Sequence, residues 1–196
     1  DKAIKNFKEV LAIYKKLEME GRAAVGLNNI GFVYHDWGQY DKALKYYEEA
    51  LAIDKRLGQE AGVAVGLNNI GKVYSDWGQY DKALKYYEEA LAIDKRLGEE
   101  ADIGLSLNNI GAVYDDWGQY DKAIKYYEEA LATLKKLGQE ASVALCLNNI
   151  GGVYYLQGEY KTAIKYFAES VKIIEKLRKT ATGDIRRDYL ASQLYT

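Results

Sequence analysis

The chain has no proline, one cysteine, one histidine and one methionine among its 196 residues. Without proline nothing locks or kinks the backbone inside a segment, so helices can run unbroken and the 18 glycines are left to mark their ends. Cys146 stands alone and cannot close an intrachain disulfide, which fits a reducing compartment and a cytoplasmic location. No apolar run approaches the roughly 18 residues of a membrane span, and Asp1-Lys2-Ala3-Ile4 lacks the form of a signal peptide, so no membrane is expected. A net charge of −2, with no cluster of Lys and Arg set apart from acids, provides no field for gathering nucleic acid. The same scarcity removes most chemistry. His35 has Asp36 beside it, but adjacent helical residues point about 100° apart and no serine follows at helical spacing. Cys146 occupies a position held elsewhere by Gly26, Gly66 and Ser106, which suits a small packing residue better than a catalytic thiol. Neither residue has a second metal ligand at a suitable spacing, and no phosphate-cradling glycine loop occurs. The sequence predicts no enzyme, no metal site and no cofactor.

What is present is a repeat. Leu27-Asn28-Asn29-Ile30-Gly31 returns at 67–71, 107–111 and 147–151, a shift of 40 residues, and such periods mean stacked supersecondary units. Trp37 to Gly58 recurs without a change as Trp77 to Gly98, as recent duplication or consensus construction would produce; the irregular Met19, His35 and Cys146 favour duplication. Leu44, Tyr47, Leu51 and Leu57 follow helical spacing, with Asp54 in the same file, and the helix is expected to end at Gly58 in a left-handed cap after Lys55 and Arg56. A second helix, near Ala61 to Trp77, carries Val63, Leu67, Ile70, Val73 and Tyr74 and stops at Gly78. Two such helices joined by a tight turn make an antiparallel hairpin. The fold class is therefore all-α, with hairpins at 21–58, 61–98, 101–138 and 141–178. Residues 1–17, with Ile4, Phe7, Leu11 and Tyr14 on one face, read as the outer helix of an incomplete unit, as if the array were entered part-way. Residues 182–196, with Ile185, Leu190 and Leu194 on an apolar side, read as a separate C-terminal capping helix.

Leu27, Ile30-Gly31, Tyr34, Ala43, Tyr47 and Ala50, and their counterparts in the later units, resemble the tetratricopeptide repeat over nearly the whole chain. The closing proline of that pattern is replaced by Lys55, Lys95, Lys135 and Glu175, and the unit is 40 residues long instead of about 34. This is similar to the long-helix branch that includes kinesin light chains and spindle-orientation adaptors. The resemblance implies a right-handed superhelical solenoid whose first helix per hairpin lines a concave groove, and an extended peptide or protein partner lying along it.

Four columns vary on that first helix: Arg22, Gly62, Asp102 and Ser142; Phe32, Lys72, Ala112 and Gly152; His35, Ser75, Asp115 and Tyr155; and Asp36, Asp76, Asp116 and Leu156. They are taken to share one face with the second asparagine of each pair. A carboxamide carries donors and an acceptor together, so a ladder of them can pair with any peptide backbone. The expected partner-contacting residues are Asn28, Asn29, Asn68, Asn69, Asn108, Asn109, Asn148 and Asn149, with Phe32, His35, Lys72, Asp76, Asp115 and Tyr155 reading side chains. The acids favour a partner with basic residues. Two bland readings stand beside these: one asparagine of each pair only fixes the stacking of hairpins, and the acids form a solvated row. The alternative function is structural, an array that spaces other domains or associates end to end through a bare apolar face at Ile4, Phe7 and Leu11.

Overall fold

A computed structural model describes the backbone of residues 2–194 and the side chains of residues 4–181. Every regular element among them is helical: α1 (Lys2–Lys16), α2 (Glu20–Asp36), α3 (Tyr40–Leu57), α4 (Glu60–Asp76), α5 (Tyr80–Leu97), α6 (Glu100–Asp116), α7 (Tyr120–Lys136), α8 (Glu140–Leu156) and α9 (Tyr160–Leu194). The helices have no side-chain N-caps at α2 to α8, so their ends are set by glycine. Gly38, Gly58, Gly78, Gly98, Gly118, Gly138 and Gly158 all have φ between 66° and 79°, the left-handed conformation that reverses the chain within three residues. At Gly38 the amide donates to His35 O at 2.8 Å and the next amide, Gln39, donates to Tyr34 O at 2.9 Å, which satisfies two carbonyls that the helix end would otherwise leave bare.

Within each hairpin an aromatic ring on the second helix lies flat over the glycine of the Ile-Gly pair. A Cβ on Gly31, Gly71, Gly111 or Gly151 would sit 2.7–3.0 Å from the ring of Tyr47, Tyr87, Tyr127 or Phe167, so only glycine fits this crossing. Burial pushes the Tyr47 hydroxyl up to about 12, as expected of a phenol held in a helix interface. Leu27, Ile30, Ile70, Leu107, Ile110, Leu147 and Ile150 complete the core, each at most 2% exposed. The seams between hairpins are filled by Leu44 and Leu51 and by Leu84 and Leu91, so the hydrophobic interior continues from unit to unit.

The even-numbered helices approach one another along the array, α2 to α4, α4 to α6 and α6 to α8, while the backbones of consecutive odd-numbered helices do not. The even helices therefore form the inner, concave wall and the odd helices the outer one. Ion pairs stitch the outer layer, Lys15 to Glu49 at 2.7 Å and Lys135 to Glu169 at 3.0 Å, and others tie the two layers, including Arg56 to Glu20 at 2.8 Å and Arg96 to Glu60 at 2.9 Å.

Two expectations change at the ends. Ile4 and Leu11 are 8% and 7% exposed, covered by α2; the apolar residues left open are Val10 and Ile13 on α1 and Leu17 just after it. Residues 182–194 form no separate cap but continue α9, which runs for 35 residues. The reason is local: the position equivalent to Gly58, Gly98 and Gly138 is Arg178, so the left-handed turn that ends the other outer helices is missing. The apolar side expected at Ile185, Leu190 and Leu194 lies outside the described side chains.

Candidate binding groove

On each inner helix four positions spaced three and four apart form the open face: 25, 29, 32 and 36 on α2 and their equivalents on α4, α6 and α8. Helical geometry keeps these four within about 60° of one another. The column of Arg22 turns instead toward the preceding outer helix, since a Cβ on its equivalent Gly62 would sit 2.8 Å from the Asp54 carboxylate. Measured from the second asparagine, position 28 lies about 100° away and position 35 about 120° away, on the side facing the next hairpin. That small angular difference sorts the residues expected at the site into two groups.

The first asparagines belong to the seams. Asn68 Nδ2 donates to Ser106 Oγ at 3.4 Å, and Ser106 Oγ donates to the buried Asp94 carboxylate at 2.9 Å. Asn108 is buried, and its Oδ1 accepts from Cys146 Sγ at 3.4 Å and from Asn149 Nδ2 at 3.1 Å. Asn28 has Gly66 at the place equivalent to Ser106, and its Oδ1 is buried without a partner. Asn148, with no inner helix following α8 among the described residues, is exposed. Asn68 and Asn108 are thus engaged in stacking, whereas Asn28 and Asn148 make no such bond. The second asparagines are different: Asn29, Asn69 and Asn109 make no side-chain hydrogen bond with another described residue, and only Asn149 is tied to the seam.

The column of His35 also turns to the seam, because six residues from Asn29 is 240° and not a return to the same face. His35 Nε2 lies 2.8 Å from Asp76 Oδ2 on the next hairpin, and Ser75 is 6% exposed. Asp76 is further held by Lys72 Nζ at 2.7 Å, so this acid has a partner on each side. Asp115 and Asp116, one hairpin on, have no ion pair among the described residues. Desolvation pushes the Asp115 carboxyl above the ordinary carboxylate range and its neighbour Asp116 adds to that; Asp116 is raised by desolvation, with Lys72 opposing and Asp76 reinforcing the rise. Phe32 is 62% exposed on the wall, and Tyr155 is 58% exposed against Tyr160.

One row was not anticipated. Val25, Val65, Leu105 and Leu145 are 60%, 53%, 42% and 49% exposed on the concave face, alongside the free asparagines. Their apolar character at every repeat looks like core in the sequence; the signal that places them outside is their position four residues before the second asparagine, on the open face. By contrast Cys146 is 1% exposed and burial pushes its thiol up to about 11, so it is a packing residue. No group of three or more His, Cys, Asp or Glu able to hold a metal occurs among the described residues, and none of their helices is long and apolar enough to cross a membrane. Two clefts of about 600 Å³ each lie away from this face, one among α1, α2 and α3, crossed by the Lys15–Glu49 and Arg56–Glu20 pairs, and one between α8 and α9, crossed by the Lys176–Glu140 pair.

Against known proteins, the model of the tetratricopeptide repeat matches residues 1–56, 22–96, 62–136 and 102–176. Among solved structures the chain is similar to BtubC (BKLC) from P. vanneervenii, at 26% identity and a TM-score of 0.74 over 88% of this chain and 75% of that one. It is also similar to aspartyl phosphate phosphatase F from Bacillus subtilis, at 20% identity and a TM-score of 0.82, covering 89% of this chain and 46%, about half, of that one. A third is the putative kinesin light chain nearly identical TPR-like repeats of Podosopora anserina, at 19% identity and a TM-score of 0.70 over 91% and 88% of the two chains. No curated protein sequence matches the chain. With the repeat model spanning residues 1–176, and with hairpins that fold as that motif requires, the chain belongs to the tetratricopeptide repeat family.

Proposed function

We propose that the chain is a protein–protein interaction scaffold that holds an extended segment of a partner against its concave wall. The observation that carries this reading is the pairing of two rows on that wall: the unpartnered amides of Asn29, Asn69 and Asn109, and the exposed Val25, Val65, Leu105 and Leu145 beside them. The amides can meet a peptide backbone and the apolar row can cover its side chains, a combination that suits strand-like or extended ligands. Replacing Val65 and Leu105 by Asp leaves the core untouched, since both side chains point to solvent. The double variant is expected to lose partners that the unaltered chain captures, while Glu89→Lys on the outer layer keeps them. Equal capture by all three proteins would remove the concave wall from the account.

The structural alternative has one observation in its favour. Ile164 and Val171 on α9 are 65% and 53% exposed, whereas their equivalents Leu44 and Leu51 are each 8% exposed under α4. A strict monomer in sedimentation at high concentration would dispose of self-association through this face.

A further inference from the structure

Each complete outer helix carries a stripe of residues spaced alternately four and three apart, the interval at which one helix lies lengthwise along another. On α3 the stripe is Tyr40, Leu44, Tyr47, Leu51 and Asp54, and α4 covers it, leaving Leu44 and Leu51 each 8% exposed and Tyr47 3%. On α9 it is Tyr160, Ile164, Phe167, Val171 and Ile174. Here Tyr160, Ile164, Val171 and Ile174 are 53–65% exposed, and Phe167, which rests on Gly151, is only partly covered. The covering helix is missing because α9 runs on to Leu194 without the left-handed turn that would send an inner helix back across it.

The rim of this stripe has changed sign. Position 161 is Lys where the other outer helices have Asp41, Asp81 and Asp121, and position 168 is Ala in place of Glu48, Glu88 and Glu128. Position 172 is Lys in place of Ala52, Ala92 and Ala132. Lys161, Lys165 and Lys172 are exposed and form no ion pair among the described residues. The seams fix the register of a helix lying on such a stripe. Tyr40 Oη donates to Asp76 O at 3.4 Å and Gln157 Nε2 donates to Asp121 Oδ1 at 3.5 Å, so the C-terminal end of a covering helix lies over the first turn of the outer one. On α9 that end falls at Tyr160 and Lys161, where the negative pole of the docked helix and an acid in its last turn meet an ammonium group. A second copy of this chain suits the face poorly. Its α1, where Val10 and Ile13 lie open, sets Lys5, Lys8, Lys15 and Lys16 against the single acid Glu9, so like charges would meet.

We propose that this face of α9 docks an amphipathic helix of about four turns from another protein, with a small residue where it crosses Val171 and an Asp or Glu in its last turn. From residue 160 to residue 174 the stripe runs about 21 Å at 1.5 Å per residue, which sets the length. The small residue follows from the seams: Gly66 lies on Leu51, and Ser106 and Cys146 hold the same place on the later inner helices. The site is independent of the concave wall, which belongs to the other layer.

The probe is a fluorescein-labelled peptide with the sequence of residues 99–117, the helix that covers α5, in which Asp115 and Asp116 supply the acids of the last turn. It carries Ser106→Ala, because Ile174 stands where Asp94 accepts that hydroxyl. Fluorescence anisotropy should show saturable binding to the chain. Ile164→Asp/Val171→Asp, at two exposed positions, should abolish it at an unchanged melting temperature, and Val65→Asp/Leu105→Asp should bind as the unaltered chain does. Lys161→Asp, which installs the residue of the other units, should weaken binding at least tenfold, whereas a peptide with Asp115→Asn/Asp116→Asn should bind Lys161→Asp and the unaltered chain alike. No saturable binding, binding indifferent to Ile164→Asp/Val171→Asp, or binding untouched by Lys161→Asp would each overturn the proposal. A dimer in sedimentation that Ile164→Asp/Val171→Asp dissolves would assign the face to a second copy and overturn it as well.

Discussion

Between the first and second hairpins Asn28 and Asp54 hold the places that Asn68 and Asp94 hold one hairpin on, with Gly66 where Ser106 stands. Asn28 Oδ1 has no partner, and the Asp54 carboxylate, 4% exposed and lying against Gly62, has no side-chain hydrogen bond among the described residues. One hairpin on, Ser106 Oγ serves the equivalent pair, Asn68 and Asp94. Gly66→Ser should therefore supply the missing hydroxyl and raise stability by about 1 kcal/mol beyond Gly66→Ala, the control for the helix cost of glycine, in urea denaturation. A Cβ at 66 would meet Leu51 Cδ1 at 3.3 Å, the far end of a flexible side chain, so the space can be found. Asp54 offers a second prediction. Burial raises its carboxyl above the ordinary range, so the acid binds its proton more tightly folded than unfolded. Its ionisation then costs stability at neutral pH, and that cost disappears as pH falls below the unfolded value. Asp54→Asn should be stabilising at pH 7 and lose its advantage near pH 3.5; an advantage independent of pH would mean that packing, not charge, decides this position.

At the scale of the helix, seven turns end on glycine and one does not. Glu18 has φ 54° at the position equivalent to Gly58, a conformation that costs an L side chain roughly 1 kcal/mol or more. Glu18→Gly should raise the thermal midpoint of the chain by a few degrees, since α1 is held on one side only. An unchanged midpoint would show that α1 frays before the rest of the array unfolds. The helices themselves were legible because apolar periodicity and glycine punctuation repeat in every unit. The end of α9 was not, because the change from glycine to Arg178 is a single residue in a sequence whose apolar pattern gives no other sign of continuing. The site was legible in part. Asn29, Phe32, Lys72 and Asp76 stand on the open wall as expected, whereas Asn68, Asn108 and His35 turn into seams, a matter of about 100° on a helix that only a careful wheel separates. Val25 and its equivalents escaped because an invariant apolar character is ordinarily the mark of a core, and here the mark is on the surface.

For the molecule as a whole, stability is carried by contacts between neighbours, hairpin to hairpin, with none between distant units among the described residues. Inserting a further copy of residues 59–98 after Gly98 should therefore add one more favourable seam and raise the unfolding midpoint. A midpoint equal to or below that of the parent chain would mean that the end units, not the seams, set the limit.

The identical stretches 37–58 and 77–98 have one more consequence. A chain searching for its fold could close α4 against α5 or against α3 with nearly the same side chains on offer, and a slip by one whole unit would leave most of the oily interface intact. What differs between those choices is the small polar furniture of the seams: Gly66 beneath Asn28, Ser106 beneath Asn68, Cys146 beneath Asn108. These three residues act as keys cut differently for locks of the same make, and they give an otherwise repetitive chain a way to count.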